Sequence, residues 1–250
     1  MTAPPVGADS LPGMVGSGPP TPVKCVLFDA GDTLLAPAPS FQGRFVAVAT
    51  AHGLALDEAR VEAALAAAVR EARWPDDWTD PATQRAFWCD FYRRALAALG
   101  HHDAGSEVAE ALFEAFSDPA AYKLFDDARP TLAALAGRGL TLGVVSNFEP
   151  WLADVLALEG VDHLFATVAI SGALGVAKPE PAIFRHALRQ AGAAPAATVH
   201  VGDQPRNDAE AAAAVGIRPV LIDRYGRTPA TRWPRIERLD ELVALLDEGR

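Results

Sequence analysis

Three acidic side chains lie where the chain leaves two apolar runs. Asp29 directly follows the run VKCVLF, Asp203 follows TVHVG, and Asp208 lies five residues after Asp203. Carboxylate oxygens are ligands that Mg²⁺ prefers over nitrogen or sulfur. We therefore interpret these three residues as candidate metal ligands and expect Mg²⁺ as the cofactor.

Two further residues provide what an acidic cluster lacks for phosphoryl transfer. A bare cluster of acids repels a phosphoryl anion, so cationic and hydroxyl groups must hold the transferring oxygens beside the metal. Ser146 ends the apolar run LTLGVVS, and Lys178 lies in the loop after FATVAIS. The chain has three lysines in all, at positions 24, 123 and 178, so a lysine in this loop is informative.

The apolar runs before these residues alternate with amphipathic segments. Continuous, β-branched runs indicate strands covered on both faces, and their alternation with helices predicts a doubly wound α/β fold with a parallel sheet. Ligands bind such sheets beyond the carboxyl ends of the strands, so we expect five polar residues to converge on one rim. They are Asp29, Ser146, Lys178, Asp203 and Asp208. The closing segment 236–248 is predicted as a helix. The predicted strands are 23–28, 140–146, 165–171, 198–203 and 218–223.

An insertion with only helical periodicity extends from residue 40 to about 118. Its aromatic and arginine side chains could form a substrate-recognition surface that closes over Asp29. Helix-spaced aromatics are more often core, so we expect Phe87 and Phe91 to be buried and Trp78, in PDDWTDP, to be exposed. The same segment could instead bind a partner protein. Four helices are predicted, within 44–54, 56–73, 82–100 and 106–116.

Composition restricts the class of protein. Half of the 250 residues are hydrophobic, which suffices for a large core, and no apolar run is long enough to span a membrane. The formal net charge of −10 argues against binding to nucleic acid, which requires basic patches. Cys25 and Cys89 lack metal-site or disulfide spacing and fit a reduced, cytoplasmic compartment. Residues 1–22, rich in Pro, Gly and Ser, are predicted to be a disordered leader.

Four sequence segments in this order resemble the motifs of the haloacid dehalogenase-like hydrolase superfamily. They are FDAGDTL, VVSN, GVAKPEPAIF and HVGDQPRNDAEAAAAVG, and the similarity extends from about residue 23 to 246. The resemblance implies a Rossmann-like core formed by 23–36 and 120–250. It also implies that 37–119 is the helical cap domain that one subgroup carries between the first and second motifs.

The resemblance also implies a role for each site residue. Asp29 would be the nucleophile that forms an aspartyl-phosphate, which divides one difficult hydrolysis into two easier steps. Ser146 and the backbone N–H of Asn147 would hold the phosphoryl oxygens, and Lys178 would neutralise charge on the nucleophile and the phosphoryl group. The metal would be bound by Asp29, the carbonyl of Gly31, Asp203 and Asp208, with Asp208 supporting either the metal or the lysine.

The first motif departs from the pattern of the family's phosphatases. These enzymes carry a second aspartate two residues after the nucleophile, which protonates the leaving alcohol and then activates water. Here that position is Gly31, and the next acid, Asp32, follows one residue later. A shift of one residue in an extended segment points a side chain the opposite way.

Three interpretations of this departure stay open. Asp32 or a cap residue takes the acid–base role, if the loop departs from strand geometry as Gly31 would permit. Alternatively, the leaving group needs little protonation, as in an acyl phosphate or a nitrophenyl ester. In the third interpretation turnover is weak or lost, and the chain is a binding or regulatory module. For Asp32, a simple turn role is equally compatible with the sequence GDT.

A 2-haloacid dehalogenase is a further alternative, because these relatives also lack the second aspartate. The family pattern separates them, since dehalogenases use no metal and replace the first acid of the fourth motif with a small hydroxyl residue, whereas this chain has Asp203. The favoured interpretation is a Mg²⁺-dependent phosphatase that acts on a small phosphorylated metabolite and has no nucleic-acid or membrane partner.

Overall fold

The computed structural model describes residues 21–73, 75, 78–102, 105–228 and 231–248. The predicted leader, 1–22, lies outside the described residues except for positions 21 and 22. Among the residues that the structure describes, no helix is both long and apolar enough to cross a membrane.

The centre of the fold is a six-stranded sheet in which all neighbouring strands are parallel. The described strands are β1 (Cys25–Phe28), β2 (Leu35–Pro37), β3 (Tyr122–Leu124), β4 (Thr141–Ser146), β5 (Phe165–Ile170), β6 (Thr198–Gly202), β7 (Arg218–Ile222) and β8 (Arg235–Ile236). The order across the sheet is β5-β4-β1-β6-β7-β8. The predicted doubly wound parallel sheet is confirmed.

Helices cover both faces of this sheet. The described helices are α1 (Phe41–Ala51), α2 (Glu58–Glu71), α3 (Pro81–Ala98), α4 (Gly105–Ser117), α5 (Ala128–Gly137), α6 (Leu152–Leu158), α7 (Ser171–Leu174), α8 (Pro181–Ala191), α9 (Ala211–Ala214) and α10 (Glu241–Glu248). Val26 and Phe28 pack with α5, α6 and α10, whereas Leu27 packs with α8 and α9 on the opposite face. Because successive side chains of a strand alternate between faces, a strand buried on both sides is apolar throughout.

Helices α1 to α4 form a unit with its own apolar cluster. In α2 the buried residues recur with helical spacing, at Val61, Ala64, Leu65 and Ala68. Capping side chains fix where the helices begin: Asp80, for example, accepts hydrogen bonds from the first-turn backbone N–H groups of α3, which starts at a proline. The four predicted helices therefore all occur, within a few residues of their predicted bounds.

A short antiparallel pair connects this helical unit to the sheet. Strand β2 leads the chain into α1, and β3 brings it back from α4, with Leu35 opposite Leu124. This pair is not predicted by the sequence pattern, because three residues are too few for a period of two to be detected. It holds the entrance and the exit of the insertion side by side.

The C-terminal region differs from the prediction. The helix predicted over 236–248 begins at Glu241, and Ile236 belongs to β8 at the edge of the sheet. The Glu241 carboxylate accepts hydrogen bonds from the backbone N–H groups of Glu237 and Arg238, at 3.0 and 2.7 Å. These bonds order the turn before the helix, which begins five residues later than the apolar period alone indicates.

Candidate active site

Asp29, Ser146 and Asp203 lie close together because their strands are neighbours. Strand β1 lies between β4 and β6, and each of the three residues ends or directly follows one of these strands. The backbone N–H of Asp29 donates to the carbonyl of Val201 at 2.8 Å, which fixes Asp29 against β6. Asp29 and Ser146 are both buried. The expected rim at the carboxyl ends of the strands is present.

Lys178 reaches this rim from the loop after α7. Its Nζ lies 2.8 Å from Oδ1 of Asp29 and 2.6 Å from Oδ1 of Asp208, and its side chain is only 2% exposed. Burial alone would lower the pKa of Lys178, but the charges of Asp208 and Asp29 raise it above its ordinary value. Lys178 is therefore a buried cation shared by two carboxylates.

The side chain of Asn147 holds the backbone of this lysine. Its Nδ2 donates to the carbonyl of Lys178 at 2.8 Å, and its Oδ1 accepts from the N–H of Lys178 at 2.7 Å. This pair of bonds joins the loop after β4 to the loop after α7. The two bonds therefore fix the positions of Ser146 and Lys178, which come from separate motifs, relative to each other.

Asp208 is held in place from several sides. Besides Lys178, its carboxylate lies 2.9 Å from Nε2 of His200 and accepts a hydrogen bond from the N–H of Gln204 at 2.9 Å. Burial would raise the pKa of Asp208, but the Lys178 charge and the His200 hydrogen bond hold it well below its ordinary value. A Cβ atom at Gly202 would lie 2.2 Å from Cγ of Asp208, so this close approach requires glycine.

His200 is a site residue to which the sequence analysis assigns no role, although it begins the fourth motif segment. It is fully buried on β6, and its ring meets that of Phe184 edge-on with centroids 5.1 Å apart. The available signal is a histidine within the apolar run TVHVG. A polar side chain in a strand covered on both faces needs a buried partner, and Asp208 is that partner.

Asp203 is the carboxylate that lacks a cation. Its Oδ1 is buried and has no hydrogen-bond partner among the described residues. Burial, followed by the negative charges of Asp29, Asp208 and Asp32, raises the pKa of Asp203 to about 9. Ligand oxygens of Asp29, Asp203 and Asp208 lie within 4.8 Å of one another. An oxygen-seeking divalent cation would satisfy the buried oxygen and relieve the repulsion, so these residues fit Mg²⁺.

The turn after β1 departs from strand geometry at Asp32. This residue has φ 51°, in the left-handed region that aspartate tolerates better than most residues, and its N–H donates to the carbonyl of Leu35 at 2.9 Å. The departure from strand geometry, which Gly31 was expected to permit, thus occurs at Asp32 itself. The hydroxyl of Tyr225 donates to Oδ1 of Asp32 at 3.1 Å. Desolvation of the Asp32 carboxyl by surrounding protein atoms raises its pKa, and the negative charge of Asp29 raises it further. The hydrogen bond from Tyr225 opposes this rise.

A cavity of about 210 Å³ adjoins this turn. Its lining includes Gly31 and Asp32 of the turn and Asn147 beside Ser146, so it opens next to the acidic cluster. The helical unit supplies other walls, among them Trp88 of α3 and Phe113 of α4. A molecule bound through the cluster would extend into this space.

The aromatic residues of the insertion only partly follow the prediction. Phe91 is buried as expected, and Phe87 is half-buried. The expectation of an exposed Trp78 is wrong. Trp78 is half-buried, and its ring packs against the rings of Phe87 and Trp88 at centroid distances of 4.9 and 6.4 Å.

Comparison with known proteins decides the family. The family model described as haloacid dehalogenase-like hydrolase matches residues 23–216, most of the chain. The chain belongs to the haloacid dehalogenase-like hydrolase family. The resemblance inferred from the four motifs is therefore confirmed.

Relatives within this family include proteins with and without a stated activity. The chain is 34% identical over 205 residues to haloacid dehalogenase-like hydrolase domain-containing protein 3 from Mus musculus, covering 80% of this chain and 82% of that protein. It is 38% identical over 149 residues to phosphoserine phosphatase from Thermus thermophilus, covering 59% of this chain and 57% of that protein.

Solved structures of the family include both hydrolytic chemistries. A HAD phosphatase from Thermococcus onnurineus has TM-score 0.61 and 28% identity, covering 90% of this chain and 98% of that chain. A 2-haloacid dehalogenase from Pseudomonas syringae has TM-score 0.59 and 26% identity, covering 91% and 100%. Overall similarity therefore does not separate the two activities, and the site residues must.

Proposed function

We propose that the chain is a Mg²⁺-dependent phosphatase that hydrolyses a small phosphate monoester through a covalent intermediate on Asp29. The observation that carries the proposal is the buried, unpartnered oxygen of Asp203 beside Asp29 and Asp208. A dehalogenase that uses no metal has no need for a third carboxylate that raises the local negative charge. Among the sequence relatives, phosphoserine phosphatase from Thermus thermophilus has the proposed class of activity.

Asp29 is the nucleophile in this proposal. An oxygen of its carboxylate attacks phosphorus, an Asp29 O–P bond forms, and the ester P–O bond breaks with its electron pair on the leaving alcohol oxygen, which takes up a proton. Water then attacks phosphorus, which releases inorganic phosphate and restores the carboxylate. Lys178 lies against the nucleophile and neutralises charge on both the carboxylate and the phosphoryl group.

Asp29, Asp203, the Gly31 carbonyl and Asp208 would hold the ion. When bound, Mg²⁺ supplies positive charge to the phosphoryl oxygens and lowers their repulsion by the acids. Ser146 and the backbone N–H of Asn147 would bind phosphoryl oxygens. Asp208 acts chiefly through Lys178, because its carboxylate already contacts Lys178 and His200.

Asp32 is the proposed acid–base group. It borders the same cavity as Gly31 and Asn147, and the hydroxyl of Tyr225 fixes one of its oxygens. A positioned acid contributes ~10²–10⁴-fold to such a reaction. Asp32→Asn should therefore slow the hydrolysis of alkyl phosphates, whose leaving group needs a proton, more than that of p-nitrophenyl phosphate.

The unit formed by 37–119 is proposed to be the cap, and 23–36 with 120–250 the core. The insertion contributes Trp88 and Phe113 to the cavity walls. A cap in this position covers the leaving group and excludes bulk water during phosphoryl transfer.

Phosphate release from a small panel tests the proposal. The panel contains p-nitrophenyl phosphate, acetyl phosphate and sugar phosphates, each assayed with Mg²⁺ or with EDTA. We expect turnover that EDTA abolishes and that Asp29→Asn lowers by at least ~10³-fold. Chloride release from a 2-haloacid that is unaffected by EDTA would establish the dehalogenase instead. A folded protein that binds Mg²⁺ but turns over neither class would be a binding module.

A further inference from the structure

The cavity beside the acidic cluster is lined mainly by aromatic side chains. Phe41, Phe113 and Phe116 of the helical unit contribute to its wall, together with Tyr92 and Trp151. Its volume is about 210 Å³. A leaving alcohol that fills it would be a small group with an apolar body.

One buried carboxylate interrupts this aromatic lining. Glu149 lies in the loop between β4 and α6 and is 5% exposed. Its Oε1 accepts a hydrogen bond from the indole N–H of Trp88, which comes from α3 in the helical unit. Burial raises the pKa of Glu149 to about 7, an effect that the Trp88 bond opposes. A carboxyl group in such a place costs stability unless it serves a ligand or a partner.

No positively charged side chain lines the cavity within the described part of the chain. None of the described residues that line it is Lys, Arg or His, and Asp32 adds a second carboxylate. Two arginines of the helical unit are engaged elsewhere. Arg44 donates to the carbonyls of Ala38, Ala115 and Ala121, and Arg85 pairs with Glu110 and Glu114.

These observations define which leaving groups the cavity can accept. A carboxylate or second phosphate deep in the cavity would face the Glu149 carboxylate, which is repulsive. The charges of Arg224 and Arg227 offset the charge of Asp32 in part, but neither arginine lines the cavity beside Glu149. An ammonium group would face a carboxylate and the rings of Trp88, Tyr92 and Trp151, and aromatic faces attract cations. The charge of the site thus favours a cationic group over an anionic one.

We propose that the substrate is a phosphate monoester of an alcohol with an apolar body and an ammonium group, and that Glu149 recognises the ammonium. The inference rests on the proposed phosphatase function, because the cavity's occupant is taken to be the leaving alcohol. It assigns a specificity role to Glu149, which no motif contains. It also predicts that phosphates of alcohols with a free carboxylate at the far end are poorer substrates.

Three aryl phosphates with the same phenol framework test the proposal. They are the phosphates of tyramine, 4-ethylphenol and 3-(4-hydroxyphenyl)propanoate, which carry an ammonium, a neutral and a carboxylate end group. At pH 8 with Mg²⁺, we expect kcat/KM to fall by about tenfold or more from the ammonium to the carboxylate compound, with the neutral one between. Equal values, or preference for the carboxylate, would overturn the inference.

Two variants assign the preference to its residue. In Glu149→Gln the ratio of kcat/KM for the ammonium and neutral compounds should fall to near one, whereas Glu71→Gln, an exposed glutamate at the end of α2, should keep the wild-type ratio. A ratio that survives Glu149→Gln would remove Glu149 from recognition. The wild-type series alone decides the charge preference if the variant does not fold.

Binding of the free phenols separates this inference from the proposed function. Calorimetric titration of wild type with tyramine, 4-ethylphenol and 3-(4-hydroxyphenyl)propanoate should give the same order of affinity. The predicted order without any phosphate release would sustain the cavity's specificity and refute the phosphatase. Phosphate release from all three esters, with no order in either experiment, would sustain the phosphatase and refute the specificity.

Discussion

The residue two positions after Asp29 is a glycine, and in the proposed mechanism this limits the acid–base catalysis that the turn can supply. Gly31 is not required by its backbone, since its φ is outside the left-handed region and a Cβ there would meet no atom of the described residues within 4 Å. The next acid, Asp32, is tethered to Tyr225. The site therefore has room for a side chain at the position where related phosphatases carry their second aspartate.

Gly31→Asp should increase the hydrolysis of alkyl phosphates by ~10-fold or more, because it adds an acid near the leaving oxygen. The rate with p-nitrophenyl phosphate should change less, since nitrophenolate needs little protonation. Steady-state kcat/KM for both substrates measures the difference. Gly31→Asn is the matched control, with a similar side chain and no acid. The same gain in both variants would contradict the acid–base explanation.

At the scale of elements, the loop after β7 holds the turn that carries Asp32. The Arg224 guanidinium donates to the carbonyl of Thr33 at 2.7 Å and to both oxygens of Asp127 at 2.9 Å, and it stacks on the ring of Phe125 at 3.9 Å. Asp127 in turn accepts from the N–H of Leu239 at 2.8 Å. One buried ion pair thus joins the turn, the start of α5 and the segment before α10.

Arg224→Met should lower the free energy of unfolding by about 3 kcal/mol, because it leaves the Asp127 charge buried without its cation. Urea denaturation monitored by circular dichroism measures this loss. Arg129→Met, at an arginine whose side chain is 54% exposed, is the control and should change stability by less than about 1 kcal/mol. Equal losses in the two variants would show that the buried pair has no special role.

The sequence predicted those elements whose pattern is local. The apolar runs before Asp29 and Ser146, and the helical periods of the insertion, identify the main strands and helices. Strands β2, β3 and β8 were not predicted. They are two or three residues long, and they form only by pairing with distant segments of the chain.

Prediction of the site residues is limited in the same way, by whether their signal is local in the sequence. The strand-end acids and Lys178 follow from motif order, whereas His200 and Glu149 act through contacts that the sequence does not display. Glu149 meets Trp88 at a separation of 61 residues, for instance. Such a contact depends on how the helical unit packs against the sheet, which no local pattern specifies.

At the scale of the whole molecule, the acidic cluster reduces the stability of the fold when no metal ion is bound. The pKa of Asp203 rises from 3.8 to about 9 on folding, so the folded state binds this proton more tightly than the unfolded state does. Without a metal, the contribution of Asp203 to the free energy of unfolding therefore falls as the pH rises between about 4 and 9.

Mg²⁺ should stabilise the fold, and more so at pH 8 than at pH 5, because protons compete with the ion for Asp203. A concentration of 100 times the Kd gives about 2.7 kcal/mol. Urea denaturation with Mg²⁺ or EDTA at both pH values measures the effect. Asp203→Asn should be more stable than wild type in EDTA at pH 8 and should lose most of the response to Mg²⁺. A wild-type response that is independent of pH and retained in Asp203→Asn would place the ion elsewhere.

Chemical trapping of the covalent intermediate is the most direct test of the nucleophilic role of Asp29. Wild-type protein is mixed with p-nitrophenyl phosphate and Mg²⁺, quenched in acid within milliseconds, and analysed by intact mass and by peptide mapping after borohydride reduction of the acyl phosphate. We expect one phosphoryl group, located on Asp29 and absent from Asp29→Asn. Turnover of the substrate without a phosphoryl group on Asp29, or with one on another residue, would contradict this role of Asp29.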